Sequence, residues 1–426
     1  MVVSRAIPAV VDLHARQALP SRRSNLGMVL RLLRDRGPRS RSRIVTDTGL
    51  PKATVSTLTA ELVALGLVRE GEAAREGGIG RPSQQVALKP DGACAVGVEI
   101  GTTYVTAVVV GLDGEELWRT TQALDVRAAG QEQVLDVAAQ LIRQAHDAAA
   151  TRGGRVVGVG VGTPGTVDVE PGIVRFAANL GWRDVAVAQS LRDRLGPSFP
   201  EIAVENDARV AAIAEFTRYA RHGVHDLVLI TGERGVGGGI ITNGTLVRGY
   251  TGCAGEIGHA PLGRPGTPCV CGRHGCWENE VGMHVLLSHA ADEDDPVRDA
   301  TRPLADRLDE LHLRAEAGDA RTLDALGRVA AGLAEGLHIL SDLLNPQIIV
   351  LGGYFARFAD YFIPGVERGF ADRALVPTDP QVTVVPSELG FTAASHGAAA
   401  MMLELVFNDP TRVADTLPRP AGRAAR

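Results

Sequence analysis

Two stretches of this chain, about 130 residues apart, follow the same plan. AVGVEIGTTYVTAVVVGLDGEELWRT begins at Ala95 and DLVLITGERGVGGGIITNGTLVRG at Asp226. Each reads as strand, glycine-bearing turn, strand, tight hairpin, strand, with Asp113-Gly114 and Asn243-Gly244 at the hairpins. Such dipeptides between alternating apolar runs favour short hairpins, because those turns need positive φ. Each unit is followed by helical stretches, so the repeat predicts a duplicated α/β body with a cleft between its halves. Backbone N–H groups of glycine-rich turns can approach a phosphate closely. NPQIIVLGGYFARF adds a buried strand ending at Gly352-Gly353. LGRVAAGLAEGLHILSDLLN and SHGAAAMMLELVF read as long helices, the second returning to the first half.

The residues before this body differ in charge. Residues 1–90 carry 15 Lys or Arg against 7 Asp or Glu, whereas residues 91–426 carry 29 against 43. SNLGMVLRLLRDRG sets Leu26, Val29, Leu30 and Leu33 at helical spacing, with Ser24 or Asn25 as a cap. SRSRIVTDTGL is a short second helix stopping near Gly49. In PKATVSTLTAELVALGLV, Val55, Leu58, Leu62 and Leu65 form one apolar stripe. A strand, a Gly/Arg loop and a second strand follow. Helix, helix, tight turn, helix and strand pair predict a winged helix-turn-helix whose third helix enters a major groove. Lys52, Thr54, Ser56 and Thr57 then face base edges or phosphates, and Arg81 at the wing tip faces the minor groove. Arg39, Arg41 and Arg43 suit phosphates, which give affinity without sequence information.

Three of five cysteines fall within HAPLGRPGTPCVCGRHGCWE, ten residues after a histidine. His259, Cys269, Cys271 and Cys276 offer one nitrogen and three sulfurs, a set that suits tetrahedral zinc; a disulfide or idle thiols are the alternatives. Four protein ligands leave no open position, so such a zinc is structural. Nothing resembles a secretory leader, and no apolar run reaches the roughly 18 residues of a membrane helix. With cysteines so clustered, the expected location is cytoplasmic.

Taken together, GVGVGTPGTVD (158–168), NLGW (179–182), ENDA (205–208), GEIGH (255–259) and CVCGRHGCWE (269–278) resemble the ROK family (repressors, open reading frames and kinases). With the winged helix in front, the resemblance covers nearly the whole chain. It implies an actin-like (ribonuclease H-like) sugar-kinase fold and zinc on the same four positions. It also implies a sugar pocket formed by Asn206, Asp207, Glu256, His259 and Glu278, with Asn179 nearby. Asp207 would be the catalytic base in a kinase. The expected divisions are a DNA-binding domain over 1–90, a first lobe over 91–205, a second lobe over 206–407 and a disordered tail over 408–426.

The family contains kinases and repressors, and the phosphate loops distinguish them. Its kinases carry Asp-x-Gly-Gly-Thr in the first repeat; here Glu99-Ile100-Gly101-Thr102-Thr103 has a longer acid and a side chain in place of the second glycine. They carry Gly-Thr-Gly-(Ile/Val)-Gly in the second; here the turn is Glu233-Arg234-Gly235-Val236-Gly237. Glu233 would repel a triphosphate, although Arg234 alone could bind one. The expected function is therefore a sugar-controlled regulator of carbohydrate metabolism without kinase activity. As a homodimer or homotetramer it would act on a pseudo-palindromic double-stranded operator. An active ATP-dependent sugar kinase with an accessory DNA module is the alternative. A third is a sugar-independent regulator that answers a partner protein.

Overall fold

The computed structural model describes residues 22–74, 83–373 and 382–416. At its N-terminal end, α1 (Arg22–Arg36), α2 (Arg41–Thr48) and α3 (Lys52–Ala64) enclose Leu26, Leu30, Ile44, Val55 and Leu62, all fully buried. Each such side chain removed from water stabilises the module by about 1.5–3 kcal/mol. Ser40 caps α2 by accepting the Arg43 N–H at 3.2 Å, and Gly49 ends it at φ 70°. That glycine makes the sharp turn into α3 possible. β1 (Arg39–Ser40), β2 (Val68–Ala74) and β3 (Ser83–Leu88) form an antiparallel sheet of order β1-β3-β2, completing the winged helix. Ser24 and Asn25 lie inside α1 and do not cap it. Arg81 lies outside the described residues.

In the body, one sheet plan occurs twice. The first lobe contains β4 (Cys94–Ile100), β5 (Tyr104–Gly111), β6 (Glu116–Ala123), α4 (Val126–Thr151) and β7 (Val156–Thr163). A small antiparallel sheet follows, β8 (Thr166–Asp168), β9 (Ile173–Ala177) and β10 (Trp182–Val185), then α5 (Val187–Leu195) and β11 (Ile202–Asn206). The main sheet has the order β11-β7-β4-β5-β6. Past α6 (Asp207–Ala220), the second lobe contains β12 (Leu227–Gly232), β13 (Val236–Thr242) and β14 (Thr245–Leu246). Then come α7 (Glu278–Val281), α8 (Met283–Ala290), α9 (Leu304–Glu316), α10 (Ala320–Leu344), β15 (Ile348–Gly353), α11 (Tyr354–Arg357), α12 (Ala359–Arg373) and β16 (Thr383–Pro386). Its sheet order is β14-β13-β12-β15-β16, the same topology. In both sheets the opening three strands are antiparallel and the later two run parallel to the first.

The two hairpins differ in detail. Asn243 (φ 49°) and Gly244 (φ 72°) both occupy the left-handed region, as a two-residue hairpin requires. In the first lobe only Gly114 does so, and the loop between β5 and β6 is longer.

Between the sheets, α6 packs on β12 and β13, while α13 (Ala393–Asn408) packs on α6, β4 and β7. The close approach explains two strand glycines: a Cβ at Gly97 or Gly160 would sit 1.9 or 2.0 Å from a carbonyl oxygen of α13. The far end of α13 carries the winged helix. A Cβ at Gly27 of α1 would lie 2.2 Å from the Phe407 carbonyl oxygen. Arg31 and Arg34 donate to Glu404 at 2.6 and 2.8 Å, and both guanidiniums lie over the Phe407 ring. Burial alone would raise the Glu404 pKa, but the two arginines overcome it and hold the carboxyl below its usual range.

The expected disordered tail is corrected at its start. Asn408 ends α13, and Pro410–Thr416 form a 3-10 turn with Val413 fully buried, because an apolar side chain there completes the core around α1 and α13. Residues 417–426 lie outside the described ones. Among the described residues, no helix is long and apolar enough to cross a membrane.

Candidate functional site

The two lobes enclose a cleft of about 600 Å³. Asn179, Asn206, Asp207, Glu256, His259 and Glu278, spread over 100 residues of sequence, all line it. β11 delivers Asn206 and Asp207 to its floor, where α6 begins. Asn206 Oδ1 caps α6 by accepting the Arg209 N–H at 3.1 Å, and its Nδ2 donates to the Gly165 carbonyl at 3.1 Å. One side chain thus caps a helix and lines the pocket. Asp207 Oδ1 accepts the Ala208 N–H at 2.7 Å. Burial, helped by the negative charge of Glu256 and opposed by that hydrogen bond, raises its pKa to about 6.

His259 ends a 3-10 turn, Ile257–His259, and the knuckle follows. Cys269 N–H bonds to the Arg273 carbonyl and Gly275 N–H to that of Thr267, folding a hairpin about Gly272, whose φ is 87°. One ring nitrogen of His259 and the three sulfurs all lie within 4.8 Å of one another. Cys271 Sγ and Cys276 Sγ are 3.7 Å apart, far beyond a disulfide bond. A tetrahedral site with metal–sulfur bonds of about 2.3 Å needs sulfurs about 3.8 Å apart, so the donor set fits a zinc-sized ion. The Cys271 N–H also points at Cys269 Sγ from 3.4 Å. Buried Trp277 anchors the knuckle to α10 through a 2.9 Å bond from Nε1 to the Gly332 carbonyl.

Glu278 joins the His/Cys cluster to the cleft. Its Oε1 is 2.8 Å from Cys269 Sγ and 3.5 Å from His259 Nδ1. A Cβ at Gly235 would lie 3.1 Å from Glu278 Oε2 and 3.3 Å from Asn179 Nδ2, so the second glycine turn closes directly over the pocket.

At the other end of the cleft the two glycine turns meet. Tyr104 Oη donates to Glu99 Oε1 at 2.6 Å and lies 3.3 Å from Glu233 Oε2, and Thr102 Oγ1 is 3.5 Å from Glu233 Oε1. Burial and the neighbouring Asp207 charge raise Glu233 to about 7. Burial, then the Glu233 charge, raises Glu99 well above the carboxylate range. Arg234 is exposed at this end, and its charge acts on Glu233.

The sequence reading missed Tyr104 and a buried ion network. Arg209, on the first turn of α6, bonds Glu205 Oε1 at 3.1 Å and the Ala254 carbonyl at 3.1 Å, and also reaches the Gly252 carbonyl. Arg248 bonds Glu205 Oε2 at 2.7 Å. These charges fix the loop before Glu256. Only the Glu205–Arg209 spacing of one helical turn was visible in sequence.

On the winged helix, Lys52, Ser56 and Thr57 are exposed on α3 and Thr54 is half-buried. Arg43 is exposed, 3.4 Å from Asp47, which also lies 3.6 Å from Arg39. Arg41 is held by its own domain: Nε donates to Thr59 Oγ1 at 3.0 Å, and the guanidinium pairs with Glu70.

Residues 95–404 match the model of the ROK family. The chain belongs to the ROK family. Residues 24–72 match the IclR helix-turn-helix domain. The xylose repressor of Bacillus spizizenii is 26% identical over 381 residues, covering 89% of this chain and 95% of the relative. The glucokinase of Halalkalibacterium halodurans is 30% identical over 290 residues, but covers only 66% of this chain and 86% of its own length. A solved ROK-family transcriptional regulator, described as a homologue of the E. coli MLC protein, has TM-score 0.74 at 24% identity over 92% of this chain and 99% of its own. That likeness shows the fold: a helix-turn-helix on an actin-like ROK body.

Proposed function

We propose that this ROK protein is a transcriptional repressor of carbohydrate metabolism whose operator affinity is set by a sugar bound between the lobes. The observation that carries this reading is the double attachment of α13. Its first residues, Ala393 and Ala394, line the cleft, and Glu404 and Phe407 near its end grip α1 of the winged helix. A ligand that closes the lobes shifts this helix against β4 and β7, and the DNA-binding module moves with it. Asn206, Asp207, Glu256, His259, Glu278 and Asn179 bind the sugar hydroxyls. His259, Cys269, Cys271 and Cys276 hold one structural zinc ion, which when bound supplies rigidity to the pocket and leaves no position for water.

Lys52, Thr54, Ser56 and Thr57 read the major groove, with Arg43 toward phosphate. Arg41 is set aside as a brace of the module. One recognition helix reads only a short half-site, so a symmetric dimer or tetramer on a pseudo-palindromic operator, in the cytoplasm, completes the proposal. By linkage, DNA and sugar change each other's affinity by the same factor.

The kinase reading has one observation in its favour: Asp207, raised to about 6, suits a general base. Against it, Glu233 and Thr102 occupy the place where the glycine turns would cradle a triphosphate. Titrating sugars into the protein with and without operator DNA, alongside an ATP-turnover assay, separates the readings. We expect a sugar-dependent change in operator affinity, a steep fall of that affinity with salt, and no turnover. Sugar phosphorylation at an ordinary enzymatic rate would establish the kinase instead.

A further inference from the structure

The acidic end of the cleft narrows the class of effector, on the premise that a sugar occupies the pocket. We infer that this site accepts only unphosphorylated sugars, and that Glu233 together with Glu99 rejects their phosphate esters. A sugar seated on Asn206, Glu256 and Glu278 with one hydroxyl at Asp207 directs that hydroxyl's substituent toward the two glycine turns. There it meets Glu99, Tyr104 and Glu233.

Hydrogen-bond inventory decides what fits. The Tyr104 phenol has one proton, and Glu99 Oε1 receives it at 2.6 Å. That proton goes to Glu99, so Glu233 Oε2 keeps only a 3.3 Å neighbour in Tyr104, while Oε1 takes a long 3.5 Å contact from Thr102 Oγ1. Among the described residues, Glu99 Oε2, on a side chain 6% exposed, has no hydrogen-bond partner of ordinary geometry, and the Ser395 backbone N–H acts on that carboxyl. Raised well above the carboxylate range, Glu99 keeps its proton in the folded state, so its free end suits a ligand hydroxyl, which can both accept and donate. A phosphate dianion brings only acceptors and two negative charges to this end. Burial and the Asp207 charge hold Glu233 at about 7, partly ionised at neutral pH, and each proton it must take up to admit the dianion weakens binding. Arg234 does not reverse the balance: it is exposed to solvent and already acts on Glu233. The effector class is thus a neutral aldose or an amino sugar, with a hydrogen-bond donor at the Asp207 end.

Calorimetry on the full-length protein tests this with D-glucose, N-acetyl-D-glucosamine, D-glucosamine, D-mannose and D-fructose, each against its 6-phosphate, and with D-xylose and D-ribose against their 5-phosphates. We expect a free sugar to bind, and its ester to bind at least about tenfold more weakly, the usual scale of a close like-charge clash. Glu233→Gln narrows the gap at least threefold, with metal content unchanged as the check on folding; Glu99→Gln is the second variant. An ester that binds as tightly as its parent overturns the inference and leaves the sugar sensor intact. A gap unmoved by both variants overturns the assignment to these acids. Absence of binding by every sugar, free or esterified, overturns the sugar sensor and this inference with it.

Discussion

The two ends of the cleft have opposite construction. At the knuckle end, the polar groups proposed to bind a sugar stand on rigid supports: Asn206 is tied at both ends, Glu278 touches Cys269 of the His/Cys cluster, and Trp277 is anchored in α10. At the glycine-turn end, the backbone architecture is kept but the side chains have changed character. The turns still face each other across the cleft, and Glu233 reaches Thr102 and Tyr104 where bare backbone would otherwise meet a phosphate. A fold can retain its scaffold at both ends while retaining the binding chemistry at only one. Function has to be read from the site, not from the fold.

The largest expected effect breaks the knuckle end. Cys276→Ser removes one of the four proposed ligands, a buried one, and should release the metal, lower the melting temperature by several degrees and abolish sugar binding. Metal analysis of the wild type should give about one zinc ion per chain; none in protein prepared without chelators would sink the zinc assignment.

Next comes the connection from the cleft to the DNA module. Glu404→Ala leaves partly buried Arg31 with Asn408 and Arg34 with Asp35, and removing the shared carboxylate costs at most the roughly 3–5 kcal/mol typical of a broken buried ion pair. Sugar and operator should each still bind, but sugar should no longer shift operator affinity, and thermal unfolding should divide into two transitions. Unaltered coupling in this variant would show that the signal does not travel through α13.

Within the pocket, Asp207→Asn exchanges a charge-assisted acceptor for an amide. Sugar affinity should fall by about 1.5–3 kcal/mol, roughly 10- to 100-fold, with operator binding in the absence of sugar unchanged. Calorimetry showing equal affinity in wild type and variant would remove Asp207 from the sugar site.

Locally encoded features were legible in the sequence. The apolar stripe of α3, the Asn243-Gly244 turn and the Cys-x-Cys hairpin each lie within a few residues, so spacing alone specifies them. Contacts that depend on tertiary approach were not. Tyr104 and Glu233 are 129 residues apart, and Arg34 and Glu404 are 370 apart. Arg31, Arg34 and Arg41 contributed to the basic charge that pointed to DNA, yet Arg31 and Arg34 are committed to α13 and Arg41 to Glu70. A charge count cannot distinguish a cation facing a phosphate from one neutralised by its own fold.

The smallest expected effect sharpens the contrast at the acidic end, through stability instead of binding. Glu233 faces Glu99, Asp207, Tyr104 and Thr102 across the cleft, with Arg234 the cation acting on it. Its folded-state pKa of about 7 lies above the ordinary glutamate value of 4.5, so folding favours the protonated form. For an acid shifted in this direction, stability is fully present below about pH 4.5 and is lost as pH rises through about 7. The shift would correspond to at most roughly 3–4 kcal/mol at high pH, at about 1.4 kcal/mol per pH unit. Glu233→Gln removes that loss but weakens the contacts with Tyr104 and Thr102, leaving a net gain of about 1 kcal/mol. The variant should therefore melt a few degrees higher than wild type at pH 8, with the difference shrinking toward pH 5.5. A variant less stable than wild type at pH 8 would mean that the hydrogen bonds to Tyr104 and Thr102 outweigh the repulsion, and that the acidic end is a fastener between the lobes.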